Sequence, residues 1–151
     1  SVSLPQAVFD MARVRMEAPI PRIALGQSLR GIANAMGDIS DGLLGDLGHI
    51  LNASRVGAEI ELTQALPLMQ TQPLWACPSD LAMTCVLSGG DDYELVFCAP
   101  PSAAEQVNKA AQASQTPVTR IGRITASESL VILDPSGQRV TLHFRSFDHF
   151  A

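Results

Sequence analysis

Two short stretches of this sequence gather carboxylates beside glycines: GDISDGLLGDLGHI from Gly37 to Ile50, and SGGDDYEL from Ser88 to Leu95. In the first, Asp38 and Asp41 stand three positions apart around Ser40, just before an apolar stripe with helical spacing. Two chemistries fit. As helix-start residues, Asp38 or Ser40 caps an unpaired backbone N–H, and Asp41 in the first turn gains about 0.3–1 kcal/mol from the helix dipole. As metal ligands, the two carboxylates share a cation that relieves their repulsion; Mg²⁺ is held in this way, by one or two carboxylates together with substrate phosphates. Gly42 is costly as a first-turn residue, about 1 kcal/mol against alanine, but it opens the backbone N–H groups of the helix start to a phosphate. Asp46 lies on the opposite margin of the stripe from Asp41 and reads as a solvated charge.

The second stretch reads first as a helix stop and polar turn, since Gly89 and Gly90 permit backbone angles other residues resist. Yet Asp91 and Asp92 lead straight into a buried strand that carries Glu94, and acidic residues are rarely buried unpaired. Two glycine-flanked acidic clusters in one acidic chain point to metal–phosphate chemistry. The other candidates carry less. No G-x-x-x-x-G-K-[ST] phosphate loop and no serine or cysteine nucleophile arrangement is present. His49 lies on the polar side of its helix, and His143 and His149 have no Cys or His neighbours at ligand spacing; His49 and His143 read as structural, and Trp75 as a packing residue. Cys77, Cys85 and Cys98 form no C-x-x-C pair; Cys85 and Cys98 sit in apolar runs and read as small buried hydrophobes.

The elements that must position these clusters follow from periodicity. Residues 4–17 suit a short helix, which Pro19 and Pro21 break. Ala24–Ala35 is a helix candidate through Leu25, Leu29, Ile32 and Ala33. The clearest helix runs on Leu43, Leu44, Leu47, Ile50 and Leu51 and ends near Asn52–Gly57. AEIEL alternates as a strand. Asp80–Leu87 reads as a helix, and YELVFCA as a buried strand with Tyr93, Leu95 and Phe97 on one face. Ser102–Ser114 is a surface helix; VTRIGRITA, SLVILD and VTLHF are strands, the last two joined across the turn sequence PSGQ. This order predicts an α/β domain of α+β type, a mixed sheet with helices on both faces.

With 151 residues the chain is sized for one domain. Its formal net charge of −5 and its lack of a Lys/Arg cluster argue against a nucleic-acid surface. No run approaches the roughly 18 apolar residues of a membrane helix, and SVSLPQAVFD lacks a signal-peptide pattern, so a reducing cytoplasmic setting is expected.

D-I-S-D-G-L-L-x-D-L-x-H-I, L-P-L, S-G-G-D-D-Y-E-L-V-F and a terminal F-D-H-F, preceded by P-R-I-x-L-G-x-x-L-R, occur in that order from Pro21 to Phe150. Together they resemble the thiamine-monophosphate kinase family, within the aminoimidazole ribonucleotide synthetase-like superfamily. The resemblance implies ATP- and Mg²⁺-dependent phosphorylation of thiamine monophosphate to thiamine diphosphate. By motif position it makes Asp38 and Asp41 Mg²⁺ ligands, places Ser40 against ATP, and places Asp91 and Phe147 against the thiamine substrate. At these last two positions the family often has glutamate and tyrosine; Asp91 is one methylene shorter, which leaves a direct or a water-mediated contact open, and Phe147 lacks a hydroxyl.

The resemblance further implies a two-domain protein. Residues 1–20 are then a linker with a short helix, and 21–151 the carboxy-terminal domain. The absent amino-terminal domain carries most of the metal- and ATP-binding aspartates and builds a homodimer, so this chain alone is inactive. The alternatives are a domain of a sibling enzyme (aminoimidazole ribonucleotide synthetase, selenophosphate synthetase or a hydrogenase maturation factor), or a non-catalytic nucleotide- or partner-binding domain.

Overall fold

The computed structural model describes residues 3–69, 75, 77–90 and 93–140. Six helices and five strands form among them: α1 (Gln6–Glu17), α2 (Ile23–Ser28), β1 (Ala35–Asp38), α3 (Leu43–Ser54), β2 (Gly57–Glu61), α4 (Leu62–Ala65), α5 (Ser79–Ser88), β3 (Leu95–Cys98), α6 (Ala104–Ala113), β4 (Gly122–Thr125) and β5 (Leu130–Leu133). Short 3-10 turns at Leu66–Leu68 and Pro101–Ala103 complete the set.

The strands make two sheets. β2 is the centre of one, antiparallel to β4 and parallel to β5, so this sheet is mixed. Glu59 faces Arg123 across the β2–β4 register, and the guanidinium Nε donates to its carboxylate at 2.7 Å. The other sheet is the antiparallel pair β1–β3, with Asp38 opposite Leu95 and Ala35 opposite Cys98.

The alternation of β3 puts a core on each side of this pair. Val96 and Cys98 join a cluster with Leu43, Leu47 and Leu51 of α3, Leu87 of α5, and Ala58 and Ile60 of β2. Leu95 and Phe97 face the other way, against Leu25, Leu29 and Ala110. Helices therefore cover both faces of β1–β3, and the mixed α/β architecture expected from the element order is the one observed. Burying each of the three α3 leucines contributes roughly 1.5–3 kcal/mol, which anchors the helix that follows the first acidic stretch.

Four details differ from the sequence reading. The helix expected over Ala24–Ala35 ends at Ser28, and Gly31 follows at φ 75. Ile32 and Ala33 still pack with Leu25 and Leu29, so the spacing identified the buried residues but not the backbone between them. Ala35–Asp38 is instead a strand, fixed by bonds to a partner far along the chain, including Asn34 N–H to Cys98 O at 2.8 Å. Tyr93 is not on the face of Leu95 and Phe97; it precedes the strand at φ 55 and is exposed. Cys85, expected to be buried, is exposed on α5, while Cys98 is half-buried and its thiol is pushed up by burial.

The turn after β5 is held by Asp134. One carboxylate oxygen accepts from Ser136 N–H (2.8 Å), Ser136 Oγ (2.7 Å) and Gln138 N–H (2.9 Å), and Leu133 bridges to Arg139 in antiparallel fashion. The strand expected over VTLHF lies outside the described residues beyond Val140.

Candidate functional site

β1 ends at Asp38 and the chain reverses through Ile39–Gly42 into α3; α5 ends at Ser88 and the chain returns through Gly89 and Gly90 toward β3. Because β1 and β3 are antiparallel neighbours, the end of one lies beside the start of the other. The Ile39 N–H donates to Glu94 O at 2.9 Å, one step past the strand register. The topology thus brings the two acidic stretches to the same end of this sheet.

The two loops touch through backbone. Gly42 has φ 104 and ψ 151, and a Cβ placed on it falls 2.9 Å from the Cα, C and O of Ser88. A Cβ on Gly90 falls 2.2 Å from Ser40 O. Neither loop tolerates a side chain where the other passes, which is the physical demand behind these two glycines. Gly42 is therefore not a first-turn helical residue, as the spacing suggested, but the residue just before α3, and the backbone of Ser88 is packed against its Cα. The Ser88 Oγ is buried and, among the described residues, makes no hydrogen bond.

Helix α3 begins at Leu43, and the residue at its N-cap position is Gly42, which brings no capping side chain. The capping role read for Asp38 or Ser40 is not the one they take: Asp38 ends β1, and Ser40 lies in the reversal. Asp46 does the work from the other direction. Its Oδ2 accepts from the backbone N–H of Ser40 at 2.9 Å and of Asp41 at 3.0 Å, tying the loop to the first turn of α3. Asp46 is half-buried and engaged, not the solvated charge expected from its place on the helix margin. Asp41, also half-buried, offers a carboxylate oxygen within 4.8 Å of ligand atoms of Asp46 and of exposed His49. Asp38 and Ser40 are exposed and do not belong to that group.

Glu94, the third acid of the second stretch, is answered by arginines. Arg22, the residue before α2, grips it with two bonds, Nε to Oε2 at 2.8 Å and Nη2 to Oε1 at 2.6 Å. Arg15 of α1 adds Nη2 to Oε1 at 2.7 Å. Burial pushes the Glu94 carboxyl up, but the hydrogen bonds and charges of Arg22 and Arg15 outweigh that and hold it below the ordinary carboxylate range. The bond to Glu94 outweighs desolvation at Arg22 and strengthens its hold on the proton. Sequence reasoning flagged an acid entering a buried strand as needing a partner, but neither arginine was singled out. Asp91 and Phe147, together with Asp92, lie outside the described residues.

Concavities of about 390 Å³ at β5 and about 330 Å³ between β2 and β4 are lined by residues such as Ile132 and Arg139, and Glu61 and Arg120, and by none from the two loops. No helix among the described residues is long and apolar enough to cross a membrane.

Residues 9–134 match the family model described as AIR synthase related protein, C-terminal domain, and the chain belongs to that family. Within it, the similarity runs to thiamine-monophosphate kinases. The chain is 44% identical over 137 residues to the thiamine-monophosphate kinase of Haemophilus influenzae, a match covering 87% of this chain and 40% of that protein. The crystal structure of thiamine-monophosphate kinase from Stenotrophomonas maltophilia K279a superimposes with a TM-score of 0.74 at 35% identity, over 92% of this chain and 42% of that one. A structure described as AaThiL complexed with AMPPCP and TMP gives a TM-score of 0.68 at 27% identity, over 99% of this chain and 44% of that one. The chain spans about 40% of the length of the curated relatives it matches.

Proposed function

We propose that this chain is the carboxy-terminal domain of a thiamine-monophosphate kinase, which transfers the γ-phosphoryl group of ATP to the phosphate of thiamine monophosphate. The observation that carries the reading is the pairing of the two acidic loops, backbone against backbone, at one end of β1–β3. It is supported by relatives named for that kinase and by a relative held with AMPPCP, an analogue of ATP that cannot lose its γ-phosphoryl group, and TMP.

Mg²⁺ suits the donors present. Asp38 and Asp41 carry hard carboxylate oxygens, the donor type this ion takes. Asp38 and Asp41 would hold the ion, which supplies charge neutralisation at the transferring phosphoryl group. The chain's own residues do the rest: Asp46 fixes the loop on which Asp41 stands, and Ser40 meets ATP from the exposed side of that loop. Asp91 and Phe147 are assigned to the thiamine moiety, whose cationic thiazolium suits a carboxylate and an aromatic face.

The chain spans about 40% of the length of the relatives named for this kinase, and phosphoryl transfer needs positioning and electrostatic stabilisation in a site that excludes water. The reading therefore includes an amino-terminal domain that closes the site and builds a homodimer, a cytoplasmic setting, and no turnover by the 151-residue chain alone. The test is Mg²⁺- and ATP-dependent conversion of thiamine monophosphate to thiamine diphosphate by the full-length protein. Asp38→Asn should lower that turnover by orders of magnitude at an unchanged melting temperature. Unchanged turnover removes Asp38 from the metal site; a folded, ATP-binding protein that never converts thiamine monophosphate points to a sibling synthetase.

A further inference from the structure

We propose that Arg22, with Arg15, is a positioning residue of this site: its grip on Glu94 sets the exit of the second acidic loop against the first. The effect on turnover rests on the kinase reading above; the effect on the backbone rests on geometry alone.

Glu94 does two jobs with two parts. Its carbonyl accepts the Ile39 N–H at 2.9 Å, a bond that joins β3's approach to the segment between Asp38, which ends β1, and the loop residues Ser40 and Asp41. Its carboxylate takes three charged N–H donors from Arg22 and Arg15, at 2.6–2.8 Å. The residue before it, Tyr93, sits at φ 55, a left-handed conformation that a non-glycine residue keeps only when its surroundings enforce it. On the other side of the same loop, Gly90 is seated against Ser40 O. The described ends of the second loop are therefore fixed independently, by close backbone approach at the entrance and by the arginine grip at the exit.

A strand start needs no such device. Arg22 keeps only 17% of its side chain exposed and Glu94 32%, so the pair has lost much of its water. An apolar contact of similar volume serves stability at least as well as an ion pair taken out of water. What the forked guanidinium adds is direction, two parallel bonds that fix where the carboxylate and its backbone lie.

The experiment uses the full-length protein with Arg22→Ala, Arg22→Lys and Arg15→Ala, read by amide hydrogen exchange and by steady-state kinetics. In Arg22→Ala, exchange at the Ile39 amide should speed up by roughly tenfold or more, the scale of losing a charge-assisted bond. Amides of β2 should not change. The second loop is the one the family resemblance gives to the phosphoryl acceptor, so the KM for thiamine monophosphate should rise at least roughly tenfold while that for ATP holds. Arg22→Lys keeps the charge without the fork and should recover part of both effects, and it carries the test if Arg22→Ala fails to fold.

Unchanged exchange at Ile39 overturns the proposal, whatever the enzyme does. Faster exchange with wild-type kinetics overturns its functional half. A wild-type protein with no phosphoryl transfer defeats the kinase reading instead, and the exchange result then decides the backbone claim by itself.

Discussion

Replacing Gly42 by alanine tests the contact between the two loops directly. Gly42 adopts φ 104 and ψ 151, a region essentially reserved for glycine, and forcing an L-residue into it costs about 1–3 kcal/mol. The new Cβ would also meet three backbone atoms of Ser88 at 2.9 Å, closer than such atoms approach one another. Backbone cannot swing aside as a flexible side chain can, so the contact adds to the dihedral cost, and the total falls at about 2–4 kcal/mol. Gly48→Ala is the matched control. Gly48 lies inside α3 with nothing within 4 Å of its Cβ position, so alanine there should stabilise by about 0.5–1 kcal/mol through helix propensity. In a chain of this size about 1 kcal/mol moves the melting temperature by about 2–4 °C. Urea unfolding should therefore place the two variants on opposite sides of the wild type, with Gly42→Ala many degrees lower on a thermal scan. A Gly42→Ala variant within about 0.5 kcal/mol of wild type, the ordinary scatter of neutral surface changes, would refute the packing of the first loop on Ser88.

Three further outcomes follow from individual groups. Glu94 has a depressed carboxyl pKa, so its contribution is fully present above the unfolded value near 4.5 and is lost as pH falls through the folded value. The stability of Glu94→Gln should accordingly fall less steeply than wild type below about pH 4.5, and parallel pH profiles in urea unfolding would contradict the ion-pair network. Asp46→Ala removes the acceptor for the Ser40 and Asp41 N–H groups and should cost about 1–3 kcal/mol; Asp46→Asn keeps a carbonyl oxygen and should cost less, so equal losses would argue against those bonds. Ser88→Ala deletes a buried hydroxyl that has no hydrogen bond among the described residues, so unfolding should show a neutral to about 1 kcal/mol stabilising change; a clear loss would mean that the hydroxyl is satisfied.

Much of the fold was legible because apolar spacing reports burial directly. Leu43, Leu47 and Leu51 of α3, and Leu95 and Phe97 of β3, are where their periodicities put them. The same signal misled where burial and backbone state part company. Leu25, Leu29, Ile32 and Ala33 share one cluster, yet only the first two lie in or beside a helix. β1 was missed because AMGD has little strand character of its own; bonds to Cys98, Phe97, Val96 and Leu95 make it a strand, and they arise only once the chain has folded. In the site, the two acidic stretches and their glycines could be read from composition and spacing. The partners could not. Asp46 reaches backward across a reversal that no helical wheel represents, and Glu94 finds Arg22 and Arg15 at 72 and 79 positions' separation.

Those partners divide the acids by duty. A carboxylate that accepts backbone N–H groups at a helix start, or two guanidiniums beside a strand, lowers its own charge cost by holding the chain in place. Asp46 and Glu94 are of this kind, and each secures one of the two loops. Asp38 is different: it ends β1 exposed, at the point where the two loops meet. If metal–phosphate chemistry resides here, substitutions must separate along that line. Changes at Asp46 and Glu94 should register first in stability and loop exchange, and reach turnover only through the loops they hold. A change at Asp38 should register in turnover with the fold intact, because there the carboxylate serves the substrate and not the chain.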